Sequence, residues 1–132
     1  MKVLVVDYGI GNLLSVLRAF RHVGVDVALS TSRDEIERAS HVVLPGVGAF
    51  ADCVRELTVR GLHEPVLRHI EAERPTLGIC VGMQMLFDYS DEFGRHDGLG
   101  VLRGHVRRIA PSASAEVTPK VPHIGWAELV RP

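Results

Sequence analysis

An α/β fold on a doubly wound, mostly parallel sheet is the architecture this sequence predicts. Three observations predict it. Short continuous apolar runs alternate with stretches whose apolar residues recur at helical spacing. The apolar runs lack the in–out alternation of half-exposed strands, so they read as strands buried on both faces under helical crossovers. Glycine-bearing turns follow these runs at what would be the carboxyl ends of the strands, where open α/β sheets hold their ligands.

Val3–Val6 is the first strand, and Asp7–Gly11 is the loop that leaves it. The loop has Gly-x-Gly but no third glycine at the offset a dinucleotide fingerprint requires. Asn12 caps a helix with Leu13, Val16, Leu17, Phe20 and Val23 on its apolar face, and Gly24 ends it as the C′ residue. Val25–Leu29 is the second strand. Ser32 and Glu35 have capping-box spacing for a short helix ending near Ala39. Val42–Leu44 is a third strand. Phe50–Leu57 and Leu62–Ala72 are helical, with Pro65 in a first turn. Cys53 falls at helical spacing with Phe50, Val54 and Leu57 and reads as a core residue. Thr76–Ile79 is the fourth strand, followed by a helix-compatible run, Met83–Phe87. Asp88–Gly98 then reads as a polar surface loop. Val101–Leu102 and Val106–Ile109 are short strands, Pro111–Pro119 is a polar excursion, and Val121–Ile124 with Leu129–Val130 suggests a final hairpin.

At 132 residues the chain reads as one domain, 1–132, large enough for a core. Its 46% hydrophobic and 23% charged residues are ordinary for a globular protein, and a net charge of −1 gives no basis for nucleic-acid binding. No apolar run approaches the ~20 residues of a membrane span, and the opening Met-Lys-Val-Leu-Val-Val-Asp is too short to read as a secretory leader. Two cysteines in distinct contexts suggest no disulfide framework, which fits a reducing cytoplasm. No metal or cofactor is implied.

The segment richest in chemistry is Gly78-Ile79-Cys80-Val81-Gly82. Gly-x-Cys-x-Gly between a strand and a helix has the spacing of a nucleophile elbow, with cysteine where hydrolases place serine. A tight strand-to-helix turn projects the nucleophile clear of the sheet and crowds the backbone, so glycine is wanted on both sides. A following helix would aim its amides and positive dipole end at the sulfur, favouring thiolate. The amide of Val81 would be placed to stabilise an oxyanion. Leu44-Pro45-Gly46-Val47-Gly48-Ala49-Phe50 also leaves a strand and enters a helix. Its glycines let a peptide turn an amide toward the neighbouring strand end, where it could complete the oxyanion hole.

Gly-Ile-Cys-Val-Gly-Met-Gln, Leu-Pro-Gly-Val-Gly-Ala-Phe, Asp-Tyr-Gly-Ile-Gly-Asn-Leu and Pro-His-Ile-Gly-Trp together resemble the glutaminase subunits of imidazole glycerol phosphate synthases. These are triad-type glutamine amidotransferases of histidine biosynthesis. The resemblance runs in register over nearly the whole chain. It implies a class I glutamine amidotransferase-like fold. It implies that Cys80 attacks the side-chain amide of glutamine, forming a thioester and releasing ammonia. The amides of Val81, Val47 and Gly48 would hold the oxyanion. Gly46, Gln84 and Glu92 match substrate-contacting positions. Asn12, Lys120, Pro122, His123 and Trp126 match the interface with a partner cyclase, a (β/α)₈ barrel that receives the ammonia.

A triad needs a histidine base and a carboxylate to orient it. The family supplies both from a His-x-Glu motif beyond the segment matched here, and nothing in this sequence matches it. His63-Glu64-Pro65 has the wrong order, and His22, His41, His69, His96 and His105 lie on amphipathic or loop segments. The expectation is an N-terminal two thirds of such a subunit, lacking the last strands of the sheet. Ala127 stands where the family usually has asparagine. Two other readings stay open: a partner-binding fragment that does no chemistry, and a different cysteine-elbow enzyme of the same fold.

Overall fold

The computed structural model describes residues 2–109 together with Gly125, Trp126, Glu128 and Val130. Strands β1 (Lys2–Val6), β2 (Asp26–Ser30), β3 (His41–Leu44) and β4 (Thr76–Gly78) form a parallel sheet in the order β2-β1-β3-β4. The chain steps outward from β1 to β2, then returns across β1 to β3. Right-handed crossovers in opposite directions place their helices on opposite faces. Accordingly α1 (Leu13–His22) buries Leu17 against Val3, Val5, Val27 and Val43. On the other face, Leu4, Val6, Val42 and Leu44 meet α2 (Arg33–Arg38), α3 (Phe50–Val59) and α4 (His63–Glu71) through Ile36, Phe50, Cys53, Leu57 and Val66. The reversal of direction at β1 and β3 makes their carboxyl ends the topological switch point, where such sheets form a crevice.

The helix boundaries follow the local signals. Asn12 Oδ1 accepts the Ser15 amide at 3.4 Å. Gly24, at φ 76°, donates to the Arg21 carbonyl while Val25 donates to that of Phe20, both at 3.0 Å, which is the paired Schellman closure. The Ser32–Glu35 box differs from its expected form. Ser32 Oγ accepts the Glu35 amide at 3.4 Å, but the return contact runs through Ser30. The Ser30 hydroxyl accepts the Ser32 amide at 2.9 Å and donates to Glu35 Oε2 at 2.6 Å.

The second half departs from the sequence expectation. The helix after β4, α5 (Val81–Gln84), is one turn long, and Phe87 already begins a strand. The Leu86 carbonyl accepts the amides of Val101 and Leu102, which draws the chain out of helix. Asp88–Gly98 is not a plain loop. It contains most of β5 (Phe87–Ser90) and all of β6 (His96–Asp97). The separate strands expected at Val101–Leu102 and Val106–Ile109 are one strand, β7 (Leu102–Val106). These three form a small sheet, β6-β5-β7. Its strands are polar because cross-strand pairs hold them: Tyr89 stacks on His105 with ring centroids 4.8 Å apart, and Asp88 Oδ2 accepts the Gly104 amide at 2.8 Å. Pro111–Pro119 and Val121–Ile124 lie outside the described residues, as does Leu129.

Candidate active site

Cys80 sits between β4 and α5 with φ 54° and ψ −118°. Those angles belong to the first central residue of a type II′ turn, a position that favours glycine. The turn closes with the Gly82 amide donating to the Ile79 carbonyl at 2.9 Å. A non-glycine residue held there costs on the order of 1–3 kcal/mol, so the surrounding structure must over-determine it. The glycines around it supply that constraint. A Cβ on Gly82 would land on the Leu44 carbonyl, one on Gly78 would lie 2.5 Å from Met83 Cα, and one on Gly46 would lie 2.5 Å from the Gly82 amide nitrogen. Three backbone segments thus touch without side chains between them, and the thiol of Cys80 is left exposed. The expected long dipole behind the sulfur is absent, because α5 has a single turn. The amides of Met83 and Gln84 both return to the Cys80 carbonyl. The Val81 amide takes no part in these turn hydrogen bonds.

The Pro45–Gly48 loop leaves β3 beside this elbow, since Leu44 pairs with Gly78 and its carbonyl accepts the Ile79 amide at 3.0 Å. Gly46 is buried against Val81 and Gly82, while Val47 and Gly48 are exposed, Gly48 at φ 82°. Beneath the loop lie two residues that the sequence reading assigned no role at the site. Tyr8 is fully buried and its hydroxyl donates to the Pro45 carbonyl at 2.6 Å. Cys53 is fully buried on α3 and its thiol donates to the Val47 carbonyl at 3.3 Å. Burial pushes the Cys53 thiol upward, offset in part by its contacts with Tyr8 and Val47. Burial likewise pushes the Tyr8 phenol up, and its contact with Cys53 adds to the shift.

Glu92 reaches the same loop from the small sheet. Its Oε2 accepts the Phe50 amide at 2.7 Å, capping α3, whose own N-cap residue Ala49 has no side chain to do so. Only this long-range partner could have revealed the cap. Gln84 is half-buried at the end of α5, and Asn12 is exposed at the start of α1, at the same end of the sheet. Trp126 is fully exposed. Lys120, Pro122 and His123 lie outside the described residues. Among the described residues no histidine bonds to Cys80. His41 opens β3, and His69 contacts the Pro75 carbonyl at 3.3 Å, both at the amino end of the sheet. Nor do the described residues include a group of three potential metal ligands.

The glutamine amidotransferase class-I profile matches residues 4–130. The chain belongs to the class-I glutamine amidotransferase family. It is similar to the imidazole glycerol phosphate synthase subunit HisH of Syntrophotalea carbinolica, 46% identical over 129 residues, covering 96% of this chain and 62% of that protein. The subunit of the same name in Geobacter sulfurreducens is 48% identical over 130 residues, with 97% and 62% covered. The chain therefore spans about three fifths of the length of these relatives. Among solved structures, a Listeria monocytogenes EGD-e protein described as peptidase E superposes with a TM-score of 0.58 at 13% identity, covering 76% of this chain and 62% of that one. That likeness speaks to the fold alone.

Proposed function

We propose that this chain, which spans about three fifths of the length of its relatives, carries the nucleophile and oxyanion loop of a glutaminase. The domain would release ammonia from glutamine for a cyclase partner in histidine biosynthesis. The observation that carries the reading is Cys80 held exposed in a type II′ turn beside Pro45–Gly48, in a chain 46–48% identical to HisH subunits. The Cys80 sulfur adds to the glutamine side-chain carbonyl carbon, and the carbonyl electron pair moves to oxygen. The amides of Val81, Val47 and Gly48 stabilise that charge. Collapse re-forms the carbonyl and breaks the carbon–nitrogen bond, the nitrogen taking up the proton given up by the thiol and leaving as ammonia; water then hydrolyses the thioester and returns a proton to the sulfur. Gly46, Gln84 and Glu92 flank the substrate, with Glu92 offering its carboxylate to the substrate ammonium from the mouth of α3.

Ammonia then passes to a (β/α)₈ cyclase. Asn12, Lys120, Pro122, His123 and Trp126 form the docking face, and the assembly is a cytoplasmic heterodimer with lyase activity. No nucleic acid or membrane enters this reading, and no described helix is long and apolar enough to cross a membrane. No cofactor is needed. Because nothing in the sequence matches the family's His-x-Glu motif, the isolated chain should accept an acyl group and hydrolyse glutamine negligibly. The test is capture of a glutamine analogue bearing a chloroketone. A single adduct on Cys80, protected by excess glutamine, is expected. Labelling indifferent to glutamine would remove the substrate assignment.

A further inference from the structure

We propose that Tyr8 and Cys53 are positioning residues for the oxyanion loop, a buried pair of donors that sets the peptide planes between Pro45 and Gly48. This rests on the reading of Cys80 as an acyl-accepting nucleophile, and adds the groups that orient its electrostatic partners. The Tyr8 hydroxyl holds the Pro45 carbonyl at 2.6 Å, and the Cys53 thiol holds the Val47 carbonyl at 3.3 Å. In a planar trans peptide the N–H points opposite to the carbonyl it shares a plane with. Drawing the Val47 carbonyl down toward α3 therefore turns the Gly48 amide up. Gly48 is exposed at the carboxyl end of the sheet, with no heavy atom within 4 Å of where a Cβ would stand. The Pro45 carbonyl is held the same way from below, two residues earlier.

Both donors are fully buried, so rotating either peptide would leave a buried hydroxyl or thiol without its acceptor. Burial also keeps both groups protonated at neutral pH, so both remain donors. A phenylalanine and an alanine would serve a purely packing role at these positions nearly as well. The hydroxyl and the thiol are what the loop uses.

Two reagents separate positioning from packing in the purified 132-residue chain. In p-nitrophenyl acetate the Cys80 sulfur adds to a carbonyl, passes through an oxyanion and expels p-nitrophenolate, leaving S-acetyl-cysteine. Iodoacetamide reacts by displacing iodide, with no oxyanion. The ratio of the two rate constants at Cys80, read by mass spectrometry, isolates the oxyanion contribution. Tyr8→Phe and Cys53→Ala should each lower the ratio about tenfold, below the 10²–10³ expected for outright loss of an oxyanion donor. Cys53→Ser, which restores an O–H, should recover it. An unchanged ratio in either variant that still melts cooperatively overturns the proposal. Should Cys53→Ala not fold, Tyr8→Phe and Cys53→Ser carry the decision. If neither reagent prefers Cys80 to Cys53 in the unsubstituted chain, the nucleophile reading itself fails, an outcome distinct from an unchanged ratio.

Discussion

Cys53 and Cys80 are the same side chain in opposite surroundings, and the contrast divides the molecule. Cys53 lies on α3 with helical backbone, fully buried, its thiol occupied by a carbonyl. Cys80 lies at the carboxyl end of the sheet with a backbone suited to glycine and its thiol exposed. The first position is satisfied and sealed; the second is strained and open. Strain and exposure together are what a packing residue has no use for and what a nucleophile requires.

The largest expected effect breaks the open region by filling it. In Gly82→Ala the new methyl collides with the Leu44 carbonyl, a backbone atom that cannot step aside. Overpacking of this kind costs about 1–3 kcal/mol or more, and both β3 and α5 would have to move. Chemical denaturation should show that loss, together with loss of selective Cys80 reactivity. A variant as stable as the parent would mean that the close approach of these segments is not what holds the turn.

Next comes the contrast between the thiols. Ellman's reagent under native conditions should react with Cys80 at least about 100-fold faster than with Cys53, because a sealed thiol reacts only through local opening. Mapping of the modified peptides decides it. Equal rates would erase the distinction between the two regions.

Much of this contrast was legible in the sequence, and the reasons for the rest are physical. The parallel strands and their helices announced themselves through continuous apolar runs and 3.6-residue periodicity. The elbow announced itself through Gly78 and Gly82, since glycine on both sides of a cysteine has few other uses. The type of turn was not legible, because cysteine at the first position of a type II′ turn breaks the local preference that would identify it. Tyr8 looked like a loop residue after β1. Its partner, Pro45, is 37 residues away, and no periodicity encodes that pairing. Cys53 was legible as core, but not as the donor that holds Val47. The small sheet reads as a loop in the sequence because Asp88, Tyr89 and Ser90 carry no apolar alternation; a tyrosine–histidine stack and an aspartate–amide bond hold it instead.

The third prediction sharpens the claim of strain. Cys80→Gly frees the turn of the 1–3 kcal/mol imposed on a non-glycine residue, against roughly 0.5–1 kcal/mol for the added freedom of the unfolded chain. The variant should be more stable by about 1 kcal/mol while losing all acyl-accepting chemistry. Cys80→Ala keeps the strain and should show no such gain. Thermal unfolding of the pair provides the comparison, and a Cys80→Gly protein no more stable than Cys80→Ala would show that the turn is relaxed.

The smallest effect tests the sealed region at the far end of the sheet. His69 is fully buried on α4, and its Nε2 donates to the Pro75 carbonyl at 3.3 Å. Nδ1 has no hydrogen-bond partner among the described residues, which fits the neutral ring. Burial, chiefly, lowers the ring's pKa from its ordinary 6.5, with the Arg74 charge adding to the shift. A group depressed in the folded state contributes stability that is present above its unfolded pKa and is lost as pH falls through the folded one. The melting temperature should therefore hold steady above about pH 6.5 and decline below it. In His69→Gln, which keeps a donor toward Pro75 but cannot titrate, part of that decline should disappear. Carboxylates titrate at lower pH and contribute to the parent and the variant alike, so the difference between the two curves isolates the imidazole. Coincident curves from pH 7.5 to 5 would mean that His69 is solvated on the timescale of unfolding, and that the sealed region is less sealed than the buried ring implies.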